Sequence, residues 1–207
     1  MTIRDEAGLG FCAFAVADLE VLPSQADFDG AVAVAEEAVR LGRNADPGPA
    51  RALYRRFGTD PTRHRPSSEA LLRRVRKGDG LPRINSLVDV ANLLSLELQV
   101  PVGLYDLAQV EGGELVLRIG REGEGYAGIG KERVNVEGRL CVADAAGPCG
   151  NPSSDSARTM ITTATTAAAW IYFLPVDEAA LARTAELVAA HGRGLVRFER
   201  PPAITVL

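Results

Sequence analysis

The chain has 207 residues, 46% of them hydrophobic and 24% charged, which is ordinary for a globular protein and enough for one sizeable core; at 5% aromatic, that core must be built largely from small aliphatic side chains. Three cysteines without a Cys-x-x-Cys pair suit neither a disulfide framework nor a four-ligand zinc site and point to a reducing, cytoplasmic compartment, while the lack of a basic-then-apolar leader and the short apolar run from Gly8 to Val16 argue against secretion or membrane insertion. The net charge of −4 is segregated: between Arg51 and Arg83 ten Lys or Arg stand against three acids, a local +7 that leaves −11 on the rest of the chain.

Gly10 to Val21 begins apolar and turns acidic, the pattern of a largely buried N-terminal strand. Asp29 can cap a helix over Ala31 to Leu41 that ends before Gly42, and Pro47 to Phe57 reads as a short helix stopped at Gly58. The loop from Thr59 to Pro66 holds two prolines and His64. Ser67 or Ser68 can cap the next helix, whose Leu71, Leu72 and Val75 face inward and which Gly78-Asp-Gly80 terminates. Arg55, Arg56, Arg73, Arg74, Arg76, Lys77 and Arg83 give this stretch a basic face, and nine of its ten cations are Arg, whose planar fork suits bidentate phosphate contacts. A solvated helical surface explains the same residues, and cations in a last helical turn are also favoured by the helix dipole.

From Asn85, apolar residues at Leu87, Val88, Ala91, Leu94 and Leu98 follow the 3.6-residue repeat of a core helix. Asn85, Asp89 and Asn92, at i, i+4 and i+7, line one face of it. Asn and Asp are weak helix formers, so the stripe reads as buried and hydrogen-bonded, either facing a ligand or, structurally, with Asn85 capping the helix and Asp89 tying down the adjacent turn. Pro101-Val-Gly-Leu-Tyr-Asp106 then reads as a tight turn in which Gly103 would let a ligand approach the main chain, Tyr105 offers a ring and a hydroxyl, and Asp106 an acceptor. Short strands separated by glycines follow: Glu114 to Ile119, Tyr126 to Ile129, Arg133 to Val136, Leu140 to Asp144 and Ala168 to Leu174. Between the last two, the segment from Asn151 to Thr159 is too polar for core, and its Asp155, Ser156, Arg158 and Thr159 can form a pocket rim or a plain hydrogen-bonded loop. A helix from Asp177 to His191 and a strand from Leu195 to Phe198 close the chain. No P-loop, His/Cys metal spacing or nucleophile with a partner histidine is present in the sequence.

Three ordered blocks, Arg65-Pro-Ser-Ser-Glu-Ala-Leu-Leu-Arg-Arg-Val75, Leu81-Pro-Arg-Ile-Asn-Ser-Leu-Val-Asp89 and Pro101-Val-Gly-Leu-Tyr-Asp106, resemble the B3/B4 domain of the phenylalanyl-tRNA synthetase β subunit, in its free-standing form. The resemblance continues through Leu117 to Gly123, Val142 to Asp144 and Asp155 to Thr162, and so covers about 54–173, with 175–207 closing the same single domain. It implies an α+β fold with helices packed on a mainly antiparallel sheet or β-sandwich. It also implies a stand-alone editing factor that hydrolyses the ester of mischarged aminoacyl-tRNA, with the aminoacylated acceptor end as partner and neither cofactor nor metal. Ester hydrolysis needs a fixed water, oxyanion stabilisation and a discriminating pocket, not a histidine triad.

On that basis Asp155 and Asp89 are the expected catalytic acids. Asn85, Asn92, Gly103, Tyr105, Asp106, Ser156, Arg158 and Thr159 would flank the ester, and the basic face would meet the acceptor stem. Gly103 stands where the synthetase family has His, and the family's Gly-Gly-Glu is replaced around Asp155 to Arg158, which places Asp155 as the water-orienting acid. Two other readings fit the residues: a noncatalytic tRNA-binding module, and a pocket protein for a free amino acid or related metabolite.

Overall fold

The computed structural model describes residues 1–197. In chain order it has β1 (Thr2–Asp5), β2 (Cys12–Ala17), α1 (Asp29–Arg40), α2 (Gly48–Arg56), α3 (Ser67–Arg76), α4 (Ser86–Leu98), β3 (Val102–Asp106), β4 (Glu114–Ile119), β5 (Gly125–Gly128), β6 (Lys131–Asn135), β7 (Leu140–Asp144), β8 (Gly147–Asn151), β9 (Ser154–Asp155), β10 (Ala168–Tyr172), α5 (Glu178–Leu187) and β11 (Leu195–Arg197). One sheet runs β1-β4-β7-β8-β9 and a second runs β11-β2-β10-β3; β5 and β6 form a separate hairpin. All these pairings are antiparallel except that of β1 with β4. The protein is α+β.

Strand β10 shows how the layers are built. It is central in its sheet and buried along its whole length, because both faces of that sheet are covered. Ala168, Trp170 and Tyr172 point to the helical side, where they pack with Phe14 and with residues of α1, α3, α4 and α5. Trp170 stacks on Phe14 with ring centroids 5.8 Å apart. Ala169, Ile171 and Phe173 point the other way, against Leu115, Leu117 and Val142 of the first sheet, with Tyr105 and Cys149 in the same cluster. The two sheets therefore form a sandwich whose outer helical layer covers only one of them. Helix α4 is apolar almost all round because it lies inside that layer.

Several expected boundaries change. Pro101 to Asp106 is not a turn: residues 102–106 are strand β3, paired with β10 along its whole length. Val102, Leu104 and Tyr105 are good strand formers, and Gly103 has no left-handed backbone angle; it is small because Tyr105 and Phe173 close over it. The segment from Gly147 to Asp155 is a hairpin of β8 and β9, held by the backbone pairs Gly150 with Asp155 and Asn151 with Ser154. Strand β1 carries no alternation strong enough to signal it. The caps expected of Asp29, Ser67 and Ser68 do not form: α1 and α3 have no side-chain cap, and Ser68 Oγ instead donates to Gln99 O. Asp177 caps α5, which continues into a π-helical turn over 188–192. Strand β11 ends at Arg197; Phe198, expected in it, lies outside the described residues.

Candidate functional site

A cavity of about 520 Å³ opens where α2 and the loop before α3 meet the β5–β6 hairpin and the β8–β9 hairpin. Leu53, Phe57, Val134 and Leu140 make it apolar in part, and Asn135 and Asn151 add amides. Its charged lining is one-sided. Arg63, Arg65, Lys131, Arg133 and Arg139 contribute to it, and no Asp or Glu does among the described residues. Lys131, Arg133 and Asn135 occupy alternate positions of β6, so strand geometry turns them to one face.

The hairpin side of the lining is tied by a directed chain of hydrogen bonds. Ser153 Oγ donates to Arg65 O at 2.7 Å, which leaves the hydroxyl oxygen to accept from the Tyr54 phenol close beside it. Burial holds the Tyr54 phenol in its neutral form. Asn151 Oδ1 accepts from Ser153 N and Ser154 N, Tyr126 Oη donates to Ser154 O, and Ser67 N donates to Pro152 O, so the hairpin tip is fastened to both neighbouring layers. His64 Nδ1 lies 3.3 Å from an Arg139 guanidinium nitrogen. Burial first, and the Arg139 charge second, lower the His64 pKa, so the ring is neutral at neutral pH and Nδ1 accepts from Arg139. Arg139 gains no compensating charge from this contact.

Beyond the tip, the hairpin carries Asp155. Its Oδ2 accepts from Leu104 N at 3.4 Å, and its Oδ1 is enclosed without a well-directed hydrogen bond among the described residues. Burial pushes its pKa up to about 7, against smaller lowering effects of Leu104 N and Tyr105. The fully buried Tyr105 faces it, and burial followed by the Asp155 charge drives the Tyr105 pKa upward. The phenol occupies the space beside Gly103 and Gly150: a Cβ on Gly103 would stand 2.8 Å from Tyr105 Oη, and one on Gly150 would run into the same hydroxyl and stand 2.9 Å from Asp155 Oδ1. Tyr105 is thus a buried filler and presents no open stacking face, contrary to the sequence expectation.

The polar stripe of α4 is resolved into joinery. Asn85 caps the helix by accepting from Val88 N, and its amide donates to Ile161 O. Asp89 is buried, accepting from Ile84 N at 2.7 Å and from Arg83 Nε at 2.8 Å. Both oxygens are engaged, so its geometry is that of a positioning residue and not of an acid at a reacting ester. Asn92 is half-buried, and its side chain makes no hydrogen bond among the described residues. Asp106 accepts from Ala108 N and Thr165 Oγ1, and Arg158 makes a two-pronged pair with buried Asp144 at 2.8 and 2.9 Å. Ser156 and Thr159, expected on a polar rim, are buried because Ser156 Oγ accepts from Arg158 N and Thr159 Oγ1 donates to Cys149 O.

The expected basic face divides in the same way. Arg74 donates to Gly80 O and Asp79 O, Arg76 to Asn44, Arg56 to Gly8 O and Leu9 O, and Arg83 to Asp89, Asp29 and Gln25 O. Arg55, Arg73 and Lys77 are exposed, and their side chains make no hydrogen bond or ion pair among the described residues. None of the seven lines the cavity. Arg63 and Arg65 belong to the basic stretch from Arg51 to Arg83, but Lys131, Arg133 and Arg139 were missed because they lie far from it in the chain; the alternation of Lys131, Arg133 and Asn135 is the sequence signal that could have found part of that group.

Comparison with known proteins gives the relationship. The B3/4 domain matches residues 49–205. The phenylalanine–tRNA ligase β subunit of Symbiobacterium thermophilum is 39% identical over 84 residues, 40% of this chain and 9% of that protein. The same subunit of Geobacter metallireducens is 30% identical over 149 residues, covering 69% of this chain and 18% of that protein. Among solved structures, an N-terminal fragment of the phenylalanyl-tRNA synthetase β subunit from Pyrococcus horikoshii is similar over 95% of this chain and 50% of that one, at 13% identity and a TM-score of 0.44. The chain spans less than a fifth of either ligase subunit, so it corresponds to one part of them. With the ordered blocks of its sequence falling in a match over most of its length, the chain belongs to the B3/4 domain family.

Proposed function

We propose that the protein acts in trans on the aminoacylated end of tRNA in the cytoplasm, as a stand-alone deacylase. The observation that carries this reading is the continuity between the cation-lined cavity and the β8–β9 hairpin: residues 151–154 line the cavity, and the next residue is a carboxylic acid with a pKa pushed up to about 7. Such an acid is about half ionised at neutral pH, where it can take a proton from an attacking water and later return it. The cations would meet the RNA backbone, and the exposed Arg55, Arg73 and Lys77 would extend that contact. The curated relatives are named as ligases of phenylalanine and tRNA, which makes charged tRNA the first substrate class to test. In this reading Asp155 is the water-orienting group, Asp89 and Asp106 are positioning residues, and Asn92 borders the site.

Incubation of the purified protein with a panel of mischarged tRNAs tests it. At least one pair should be hydrolysed well above background, and Asp155→Asn should slow that reaction by roughly 10²- to 10⁴-fold. No hydrolysis of any pair would sink the deacylase. A noncatalytic tRNA-binding module is the second reading, favoured by the enclosure of Asp155 Oδ1 against Tyr105 and the engagement of Oδ2 by Leu104 N. It predicts salt-sensitive binding of charged tRNA without ester loss.

A further inference from the structure

Around the cavity, positive charge is left without counter-charge. Arg65 leans on Glu69 at 3.5 Å and Arg63 on Asp60 at 3.8 Å, but Lys131, Arg133 and Arg139 have no carboxylate within ion-pair distance among the described residues. Arg133 donates to Gly123 O, and Arg139 reaches only Asn135 O and the neutral His64 ring. Cations gathered at one concave, partly apolar surface repel one another until an anion enters, and low-dielectric walls strengthen their pull on it.

Part of the same lining is apolar, formed by Leu53, Phe57, Val134 and Leu140. A bare phosphate would satisfy the cations and leave those side chains in water; an apolar amino acid would do the reverse. A nucleotide answers both, with a flat base for the apolar side chains and a phosphate for the cations, and about 520 Å³ lies within the range of sites that enclose ligands of that size. We infer that the cavity between α2 and β6 seats a nucleoside monophosphate unit, its phosphate against Lys131, Arg133 and Arg139 and its base on the apolar part of the lining. The unit can be a free nucleotide or the terminal residue of an RNA strand. Only the second source rests on the tRNA reading above.

Titration calorimetry of the full chain with AMP, adenosine, inorganic phosphate and the trinucleotide CCA tests the seat. AMP should bind at least about tenfold more tightly than adenosine or phosphate, because each of those lacks one half of the recognition, and a hydrogen bond to a charged group is worth roughly 10- to 100-fold. Lys131→Ala and Arg139→Gln should each weaken AMP by a factor in that range; Lys131 is exposed on β6, so its variant should unfold at an unchanged temperature. Saturation with AMP should also raise the His64 pKa, followed by NMR of the imidazole, since the phosphate offsets the Arg139 charge that lowers it. CCA binding more tightly than AMP assigns the seat to an RNA end, and the reverse order to a free nucleotide. AMP binding no better than phosphate, or both variants binding AMP like the unaltered protein, overturns the seat. AMP binding by a protein that deacylates no tRNA keeps the seat and removes the deacylase; hydrolysis that proceeds without AMP binding does the opposite.

Discussion

The wall formed by α4 and β3 and the cavity between α2 and β6 are both rich in polar side chains, but they handle charge in opposite ways. At the wall, Asn85, Asp89 and Asp106 each have their polar atoms engaged by backbone groups or by a neighbouring side chain. In the cavity, Lys131, Arg133 and Arg139 share one concave surface without an acid. A buried polar group that is fully hydrogen-bonded specifies structure, whereas a group of uncompensated charges at a concave surface is what a ligand can neutralise. Density of polar residues in the sequence does not separate the two cases; the partners do.

The largest expected effect tests the structural half of this contrast. Asp89→Ala removes a buried carboxylate and leaves Arg83 Nε and Ile84 N without their acceptor, so it should lower stability by about 3 kcal/mol in urea unfolding, toward the low end for broken buried pairs because Arg83 is 26% exposed and keeps Asp29 and Gln25 O. A change below about 1 kcal/mol would return Asp89 to the list of functional residues. Asn85→Ala should cost about 1–2 kcal/mol through the lost cap, and Asn85→Ser, which keeps a capping oxygen, should recover most of it.

Asp155 lies between the two regions and gives a pH test. Its folded pKa, pushed up to about 7 by burial, stands well above the ordinary aspartate value, so near neutral pH the folded protein holds a proton that the unfolded chain has lost. Its contribution therefore favours folding at low pH, declines as pH rises from about 4 to 7, and is flat above that. Asp155→Asn should flatten the stability profile across this window, as read from unfolding midpoints at pH 5 and pH 8; an unchanged slope would mean that the carboxyl is not held protonated. The smallest effect belongs to the cavity: Lys131→Ala should leave stability within about 0.5 kcal/mol, since an exposed, unpaired lysine supports nothing in the fold. A clear loss of stability would blur the distinction between wall and cavity.

Much of the fold was legible because local chemistry and final structure agree. The 3.6-residue spacing of Leu87, Ala91, Leu94 and Leu98 defines α4 on its own, and Asn85 signals its start. The segments 114–119 and 140–144 match β4 and β7. Where Pro101, Gly103 and Asp106 suggested a turn, the pairing of β3 with β10 prevailed, because Gly103 is a packing glycine and not a turning one. Ser156 and Thr159 looked too polar to bury until the backbone groups that satisfy them were in place.

The sequence by itself determined the family, the α+β class and the capped core helix, since these rest on ordered blocks, periodicity and short-range hydrogen bonding. Only the tertiary structure decided which charges are neutralised. Arg83 and Asp89 are six positions apart and pair, whereas His64 and Arg139, 75 positions apart, meet at the cavity with no carboxylate within ion-pair distance of Arg139 among the described residues. Electrostatic pairing falls off over a few ångströms, and no local pattern encodes which distant segments come that close.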